Sequence, residues 1–103
     1  LMNIESIVIA GAGTMGYSMA QIFTRYNYDV TIYDLKAEAI ENAKKRIKEN
    51  TQILIQDQEL TSEQEKLLHQ HLKYTTAKEC FKNCDLVVES IIEKVEIKQS
   101  FYQ

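Results

Sequence analysis

The apolar run Ile7-Val8-Ile9-Ala10 passes straight into Gly11-Ala12-Gly13-Thr14-Met15-Gly16, a G-x-G-x-x-G turn. No other stretch narrows the folding options of this chain so far. A helical pattern follows, with Met15, Met19, Ile22, Phe23 and Tyr26 on its expected apolar face. Strand, glycine turn and helix in immediate succession are the context in which this spacing carries physical meaning. Gly11 permits the tight turn, Gly13 lets backbone approach a pyrophosphate, and Gly16 lets the helix pack close to the strand. Unpaired N–H groups at the helix start, together with the helix dipole, favour negative charge there. Alone, the same spacing also describes a glycine-rich turn that holds nothing.

The downstream residues separate these readings. Asn27 is a residue type that tolerates the left-handed conformation just past a helix. Val30-Thr31-Ile32-Tyr33 then reads as a second buried strand, with Asp34 at its carboxyl end. A carboxylate about 20 positions beyond the glycines is placed to accept hydrogen bonds from the adenosine ribose hydroxyls. It also opposes a 2′-phosphate. No Arg follows it closely, so NAD is expected over NADP, with Lys36 acting slightly the other way. A plain turn or helix-capping acid is the simpler reading of Asp34, and the register relative to the glycines argues against it.

With 103 residues, the chain has room for one domain and one modest core. A net charge of −3 gives no electrostatic reason to expect nucleic acid or an anionic membrane as partner. No apolar run is long enough to span a bilayer, and no signal-peptide pattern precedes the first strand. Cys80 and Cys84 are expected to be reduced and structural, in keeping with a cytoplasmic setting.

Beyond Asp34, Ala37, Ile40, Ala43, Ile47 and Leu54 form one apolar stripe, which predicts a long amphipathic helix from Lys36 to about Ile55. Its Lys44-Lys45-Arg46 and Lys48 are interleaved with Glu38, Glu41 and Glu49, as on a solvated face. Ser62-x-x-Glu65 reads as a capping box opening a second helix through Leu67, Leu68 and Leu72. His69 and His71 are two apart on that helix, so they point to opposite sides and cannot share a metal. Both read as surface residues, and no metal is expected. Tyr74-Thr75-Thr76 is a short strand candidate, Lys78 to Lys82 a helical turn, and Leu86-Val87-Val88-Glu89 the next buried strand. Val95, Ile97, Lys98, Phe101 and Tyr102 begin a further helix. Buried strands alternating with helices predict an α/β fold: a Rossmann-type, doubly wound parallel sheet, truncated, with a helical pair inserted after the second strand.

Taken together, Gly11-Ala12-Gly13-Thr14-Met15-Gly16, Tyr33-Asp34-Leu35-Lys36 and Asp85-Leu86-Val87-Val88-Glu89-Ser90-Ile91-Ile92-Glu93, with Lys98 and Phe101, resemble the 3-hydroxyacyl-CoA dehydrogenase family. The D-L-V-V-E-S-x-x-E-x-x-x-x-K string is much more specific than the glycines, and the likeness runs the length of the chain. The resemblance implies that Gly11, Gly13, Thr14, Met15 and Gly16 hold the pyrophosphate and Asp34 the adenine ribose. It implies that Glu93 and Lys98 approach the nicotinamide half of NAD, with Glu93 also supporting the family's catalytic histidine. Asn50 matches a CoA-facing position. Asp57 stands where the family has a CoA-facing lysine, and Ser18 and Asn27 where it commonly has glycine.

On this resemblance residues 1–103 are expected to be the N-terminal NAD-binding Rossmann domain, incomplete and inactive alone. The catalytic histidine and the helical substrate domain would lie beyond Gln103. The parent would interconvert L-3-hydroxyacyl-CoA and 3-ketoacyl-CoA as a homodimer. The fragment itself is expected to self-associate through an open edge at Leu86-Val87-Val88. Two other readings remain: the cofactor domain of a hydroxy-acid or sugar-acid dehydrogenase, and a non-redox nucleotide-binding module.

Overall fold

The computed structural model describes residues 4–89. Its elements are β1 (Ser6–Ala10), α1 (Thr14–Arg25), β2 (Asp29–Tyr33), α2 (Ala37–Gln56), α3 (Ser62–His71), β3 (Leu72–Thr75) and β4 (Leu86–Glu89). A short 3₁₀ turn, Lys78–Phe81, joins the last two strands. The helix expected around Val95 to Tyr102 lies outside the described residues.

All four strands run parallel in the order β3-β2-β1-β4. The chain steps outward from β1 to β3 and then crosses back to the far side of β1. That reversal makes the carboxyl end of β1 the topological switch point, where open α/β sheets bind ligands. The α/β class and the two helices after β2 are those the sequence predicts.

Register explains the core. Ile7 lies opposite Val30 and Leu86, and Ile9 opposite Ile32 and Val88. Val30 in turn lies opposite Leu72. Alternate strand residues share a face, so these side chains form one apolar layer. Ala20, Ile40, Ala43, Ile47 and Leu68 cover it from the helices.

The apolar face of α1 departs from the sequence expectation. Ile22 and Tyr26 are 54% and 71% exposed, whereas Met19 and Phe23 pack against the core. The innermost positions are Gly16, Ala20 and Thr24, spaced four apart. Small residues on this seam let the helix approach the sheet, which turns the larger ones outward. The buried Thr24 hydroxyl is satisfied within the helix, donating to the carbonyls of Ala20 and Gln21.

Asn27 adopts φ 66° just past α1, as its residue type predicts. Tyr28 N–H donates to Phe23 O and Asn27 N–H to Thr24 O. These are the paired bonds of a Schellman ending. The Phe23 and Tyr28 rings meet edge-on at 6.1 Å, supplying its usual apolar contact.

On α2 the buried stripe is Ile40, Ala43, Ile47 and Thr51, with Ala37 exposed and Leu54 half-buried. Thr51 is buried because its hydroxyl donates to Lys48 O at 2.8 Å. The capping box of α3 sits one residue earlier than expected. Gln64 N–H donates to Thr61 Oγ1 and Thr61 N–H to Gln64 Oε1. Either Thr-x-x-Gln or Ser-x-x-Glu satisfies the pattern. Leu68 is buried and Leu67 faces outward on this helix. α3 ends at His71, and Leu72 opens β3 opposite Val30.

His71 is half-buried, with Nδ1 2.8 Å from Asp29 Oδ1. It pins the end of α3 to the start of β2, a structural contact beyond the surface role expected. Cys80 and Cys84 are both free thiols. Burial, with the Cys84 thiol nearby, pushes the Cys80 thiol above its usual value. On β4, Val87 and Glu89 each have an interaction partner.

Asp85 fastens the amino end of the sheet. Its Oδ2 accepts from Glu5 N–H at 2.8 Å and Ser6 N–H at 3.0 Å, with the Ser6 hydroxyl at 3.4 Å. Those backbone bonds, Glu5 first and Ser6 next, hold its carboxyl below the usual carboxylate range. A carboxylate lowered on folding stabilises the fold above its unfolded value of about 4. That contribution is lost as pH falls through the lower folded value. Asp85→Asn is expected to lower the thermal midpoint at pH 7. The difference from the unaltered chain should close below about pH 4, as followed by circular dichroism across a pH series.

Candidate functional site

The site is assembled at the carboxyl ends of β1 and β2. Gly11 follows β1 with φ 120°, a region that disfavours any residue with a Cβ. Its N–H donates to Tyr33 O at 2.7 Å, which extends the β1–β2 pairing to the turn. Gly13 is the N-cap of α1 with φ −75° and ψ −172°, an extended conformation open to any residue. Its lack of a side chain therefore serves the space in front of the helix and not the backbone angles. No acid occupies the first turn of α1, and the glycine cap has no side chain to accept from its N–H groups. Thr14 and Met15 open the helix, and Gly16 is buried within its first turn.

Asp34 is drawn into the same turn. Its Oδ2 accepts from Ala12 N–H at 3.0 Å, and its Oδ1 accepts from Lys36 N–H at 2.9 Å. The backbone of Asp34 donates to Thr75 O at the end of β3, at 3.3 Å. One residue thus ties together the endings of three neighbouring strands. A carboxylate offers roughly four acceptor positions. The two backbone bonds use one on each oxygen and leave one on each.

The fit to a dinucleotide follows from these donors and acceptors. The helix N-terminus offers uncapped N–H groups to an anion, Gly13 clears the approach, and Asp34 retains acceptors for a pair of hydroxyls. Of the residues singled out from sequence, Gly11, Gly13, Thr14, Met15, Gly16 and Asp34 come together here. Glu93 and Lys98 lie outside the described residues. Asn50 is elsewhere: it sits on α2, thirteen residues beyond Ala37, roughly 20 Å along the helix. There its amide donates to Gln21 Oε1 at 3.5 Å, linking α2 to α1. Asp57 is exposed at the carboxyl end of the same helix. The backbone N–H groups of Ala12 and Lys36 are parts of the site that residue identities alone do not announce.

A groove on the described surface lies away from this turn. It is lined by Thr24, Arg25, Asn27 and Leu60 with Gln64, Leu67 and Leu68, at the far end of α1. Among the described residues, no group of three or more His, Cys, Asp or Glu side chains is arranged to hold a metal ion. None of their helices is long and apolar enough to cross a membrane.

Residues 6–103 match the family described as 3-hydroxyacyl-CoA dehydrogenase, NAD binding domain. The chain belongs to that family. Among curated relatives, it is 34% identical over 95 residues to a probable 3-hydroxybutyryl-CoA dehydrogenase of Deinococcus radiodurans, covering 92% of this chain and 34% of that protein. Its fold superposes with a TM-score of 0.85 on the 3-hydroxybutyryl-CoA dehydrogenase of Escherichia coli, at 27% identity, over 98% of this chain and 21% of the other. The (S)-3-hydroxybutyryl-CoA dehydrogenase of Ralstonia eutropha gives the same score at 25% identity, over 97% and 35%. The chain thus spans about a third or less of these 3-hydroxyacyl-CoA dehydrogenase relatives. As a member of this family it is an NAD-binding domain, and the glycine turn with Asp34 is its candidate dinucleotide site.

Proposed function

We propose that this chain is the NAD-holding portion of an enzyme that interconverts L-3-hydroxyacyl-CoA and 3-ketoacyl-CoA. On this reading residues 1–103 are the incomplete N-terminal domain of that enzyme. The observation that carries it is the Asp34 carboxylate, fixed by Ala12 N–H at the glycine turn with acceptor positions to spare. The names of the relatives support the acyl-CoA substrate class. The bound nicotinamide supplies the hydride acceptor or donor. This chain's residues position it. N–H groups at the start of α1, approached past Gly11, Gly13 and Gly16, hold the pyrophosphate together with Thr14 and Met15. Asp34 accepts from the ribose hydroxyls.

Glu93 and Lys98 belong to the nicotinamide half of this proposal, with Glu93 orienting a histidine supplied by a further part of the protein. A carboxylate in that role holds an imidazole in one tautomer and favours its protonated form. Neither histidine of this chain fills it: His71 is engaged by Asp29, and His69 is on α3. Asn50 is the proposed CoA contact. Asp57, in the same stretch, stands where the family resemblance implies a CoA-facing lysine, and an acid there repels CoA phosphates. A cytoplasmic location is part of the reading, supported by the two free thiols.

Titration with NADH and NADPH tests the assignment. Asp34→Ala should weaken NADH by roughly tenfold to a hundredfold, the loss of one or two charge-assisted hydrogen bonds. NADPH should then bind about as well as NADH. Asp34→Asn lacks the charge and has a single acceptor oxygen, enough for Ala12 N–H or Lys36 N–H but not both, so NADPH should gain relative to NADH while the turn loses one of its two bonds. An unaltered chain that binds both cofactors equally would contradict the role given to Asp34.

A further inference from the structure

We propose that the groove at the far end of α1 is a second binding site, one that takes a small apolar carboxylic acid. α1 is 12 residues long, so about 18 Å of helix separates this groove from the glycine turn. Three segments meet around it: the last turn of α1, the connection between α2 and α3, and α3 itself. The space they enclose is about 180 Å³, the share of roughly six water molecules at about 30 Å³ each.

Its floor is apolar and already built. Thr24, Leu60 and Leu68 line it at 4%, 6% and 4% exposure. The Thr24 hydroxyl is engaged within its own helix, so it adds no free donor to the floor. Leu67, about half exposed, supplies an apolar edge. Both sides of the groove are fixed by backbone bonds. Asn27 N–H donates to Thr24 O beyond α1, while Glu59 and Leu60 N–H both donate to Leu54 O. A preformed concave surface with an apolar floor and a few polar groups is the usual form of a small-molecule site.

The polar groups at the rim select the charge. Gln64 belongs to the capping box of α3, where its Oε1 accepts from Thr61 N–H at 2.8 Å. That bond uses the amide's acceptor and leaves its –NH₂ group to donate. Arg25 adds a guanidinium with five N–H donors. Ion pairs among the described residues join Lys44 to Glu41 and His71 to Asp29, so Arg25 is not held by Glu59, the acid that also lines the groove. Glu59 is exposed and its charge stays in water. Two donor groups above an apolar floor match a ligand with a carboxylate at one end and an apolar body at the other. The carboxylate accepts from the guanidinium, in the geometry that makes such pairs strong. The body covers Leu60 and Leu68, a gain proportional to the apolar area removed from water.

The test titrates the whole ¹⁵N-labelled chain with benzoate and with benzamide, followed by nuclear magnetic resonance. Benzoate should move the amide resonances of Asn27, Leu60 and Leu68 and leave those of Gly11, Gly13 and Asp34 in place. Benzamide has the same ring without the charge and should bind at least about tenfold more weakly, the loss of a charge-assisted bond. Arg25→Gln should bring benzoate down by the same factor, leave benzamide unchanged, and bind NADH as the unaltered chain does. Leu67→Ser should weaken both aromatic ligands alike. Equal affinity for benzoate and benzamide, or benzoate binding untouched by Arg25→Gln, would overturn the carboxylate site. Benzoate that moves only glycine-turn resonances, or none at millimolar concentration, would overturn the groove as a site altogether.

Discussion

Gly13→Val is expected to cut NADH affinity by about a hundredfold or more, the equivalent of roughly 3 kcal/mol, while leaving the thermal midpoint nearly unchanged. The backbone at Gly13 is extended, at φ −75° and ψ −172°, and valine adopts that conformation readily. What valine adds is bulk in front of the uncapped N–H groups of α1, where the pyrophosphate must come close. Gly11→Ala makes the complementary comparison. Gly11 has φ 120°, where a Cβ costs about 1–3 kcal/mol, so this variant should lose stability first and affinity as a consequence. Thermal melts and NADH titrations on the pair separate the two roles. If Gly13→Val binds NADH normally, the turn does not hold a pyrophosphate.

This contrast also marks what could be read before the fold was known. The glycine spacing announces the turn, but it does not say which glycine is needed for its angles and which for its missing side chain. The alternation of strands and helices, Asn27 at the end of α1 and Asp34 at the end of β2 were legible because each rests on local residue chemistry. The orientation of α1 was not. Helical periodicity weights large apolar residues most heavily, and it favoured Ile22 and Tyr26 over the seam of Gly16, Ala20 and Thr24 that faces the sheet. Close approach to a flat sheet selects small residues, a preference that hydrophobic patterning does not register. Thr51 escaped for a related reason, because its burial depends on a bond to Lys48 O within its own helix. The capping box was displaced by one residue because Thr61-x-x-Gln64 and Ser62-x-x-Glu65 obey the same rule. The reciprocal bonds between Thr61 and Gln64 show which of the two is used. Asp34 was legible as an acceptor, but its bonds to Ala12 and Lys36 use backbone groups that no residue identity reveals.

Core and cofactor site share β1, so damage to one should be measurable through the other. Ile9 is fully buried, lies opposite both Ile32 and Val88, and precedes the glycine turn by two residues. Ile9→Ala removes packing from the middle of the sheet and is expected to cost about 2–5 kcal/mol. For a domain near this size each kcal/mol moves the thermal midpoint by roughly 4–8 °C, so a fall of about 10 °C or more is expected. The total stability of such a domain is about 5–15 kcal/mol, and a substantial unfolded fraction should appear at moderate temperature. That fraction binds no cofactor. NADH at a hundred times its dissociation constant adds about 2.7 kcal/mol to the folded state, enough to recover much of the lost midpoint. The recovery should fail in Gly13→Val, whose fold is intact but whose turn is obstructed. Differential scanning fluorimetry of Ile9→Ala, Gly13→Val and the double variant, each with and without NADH, reads these effects directly. Equal recovery with and without valine at Gly13 would place cofactor binding somewhere other than the switch point at the end of β1.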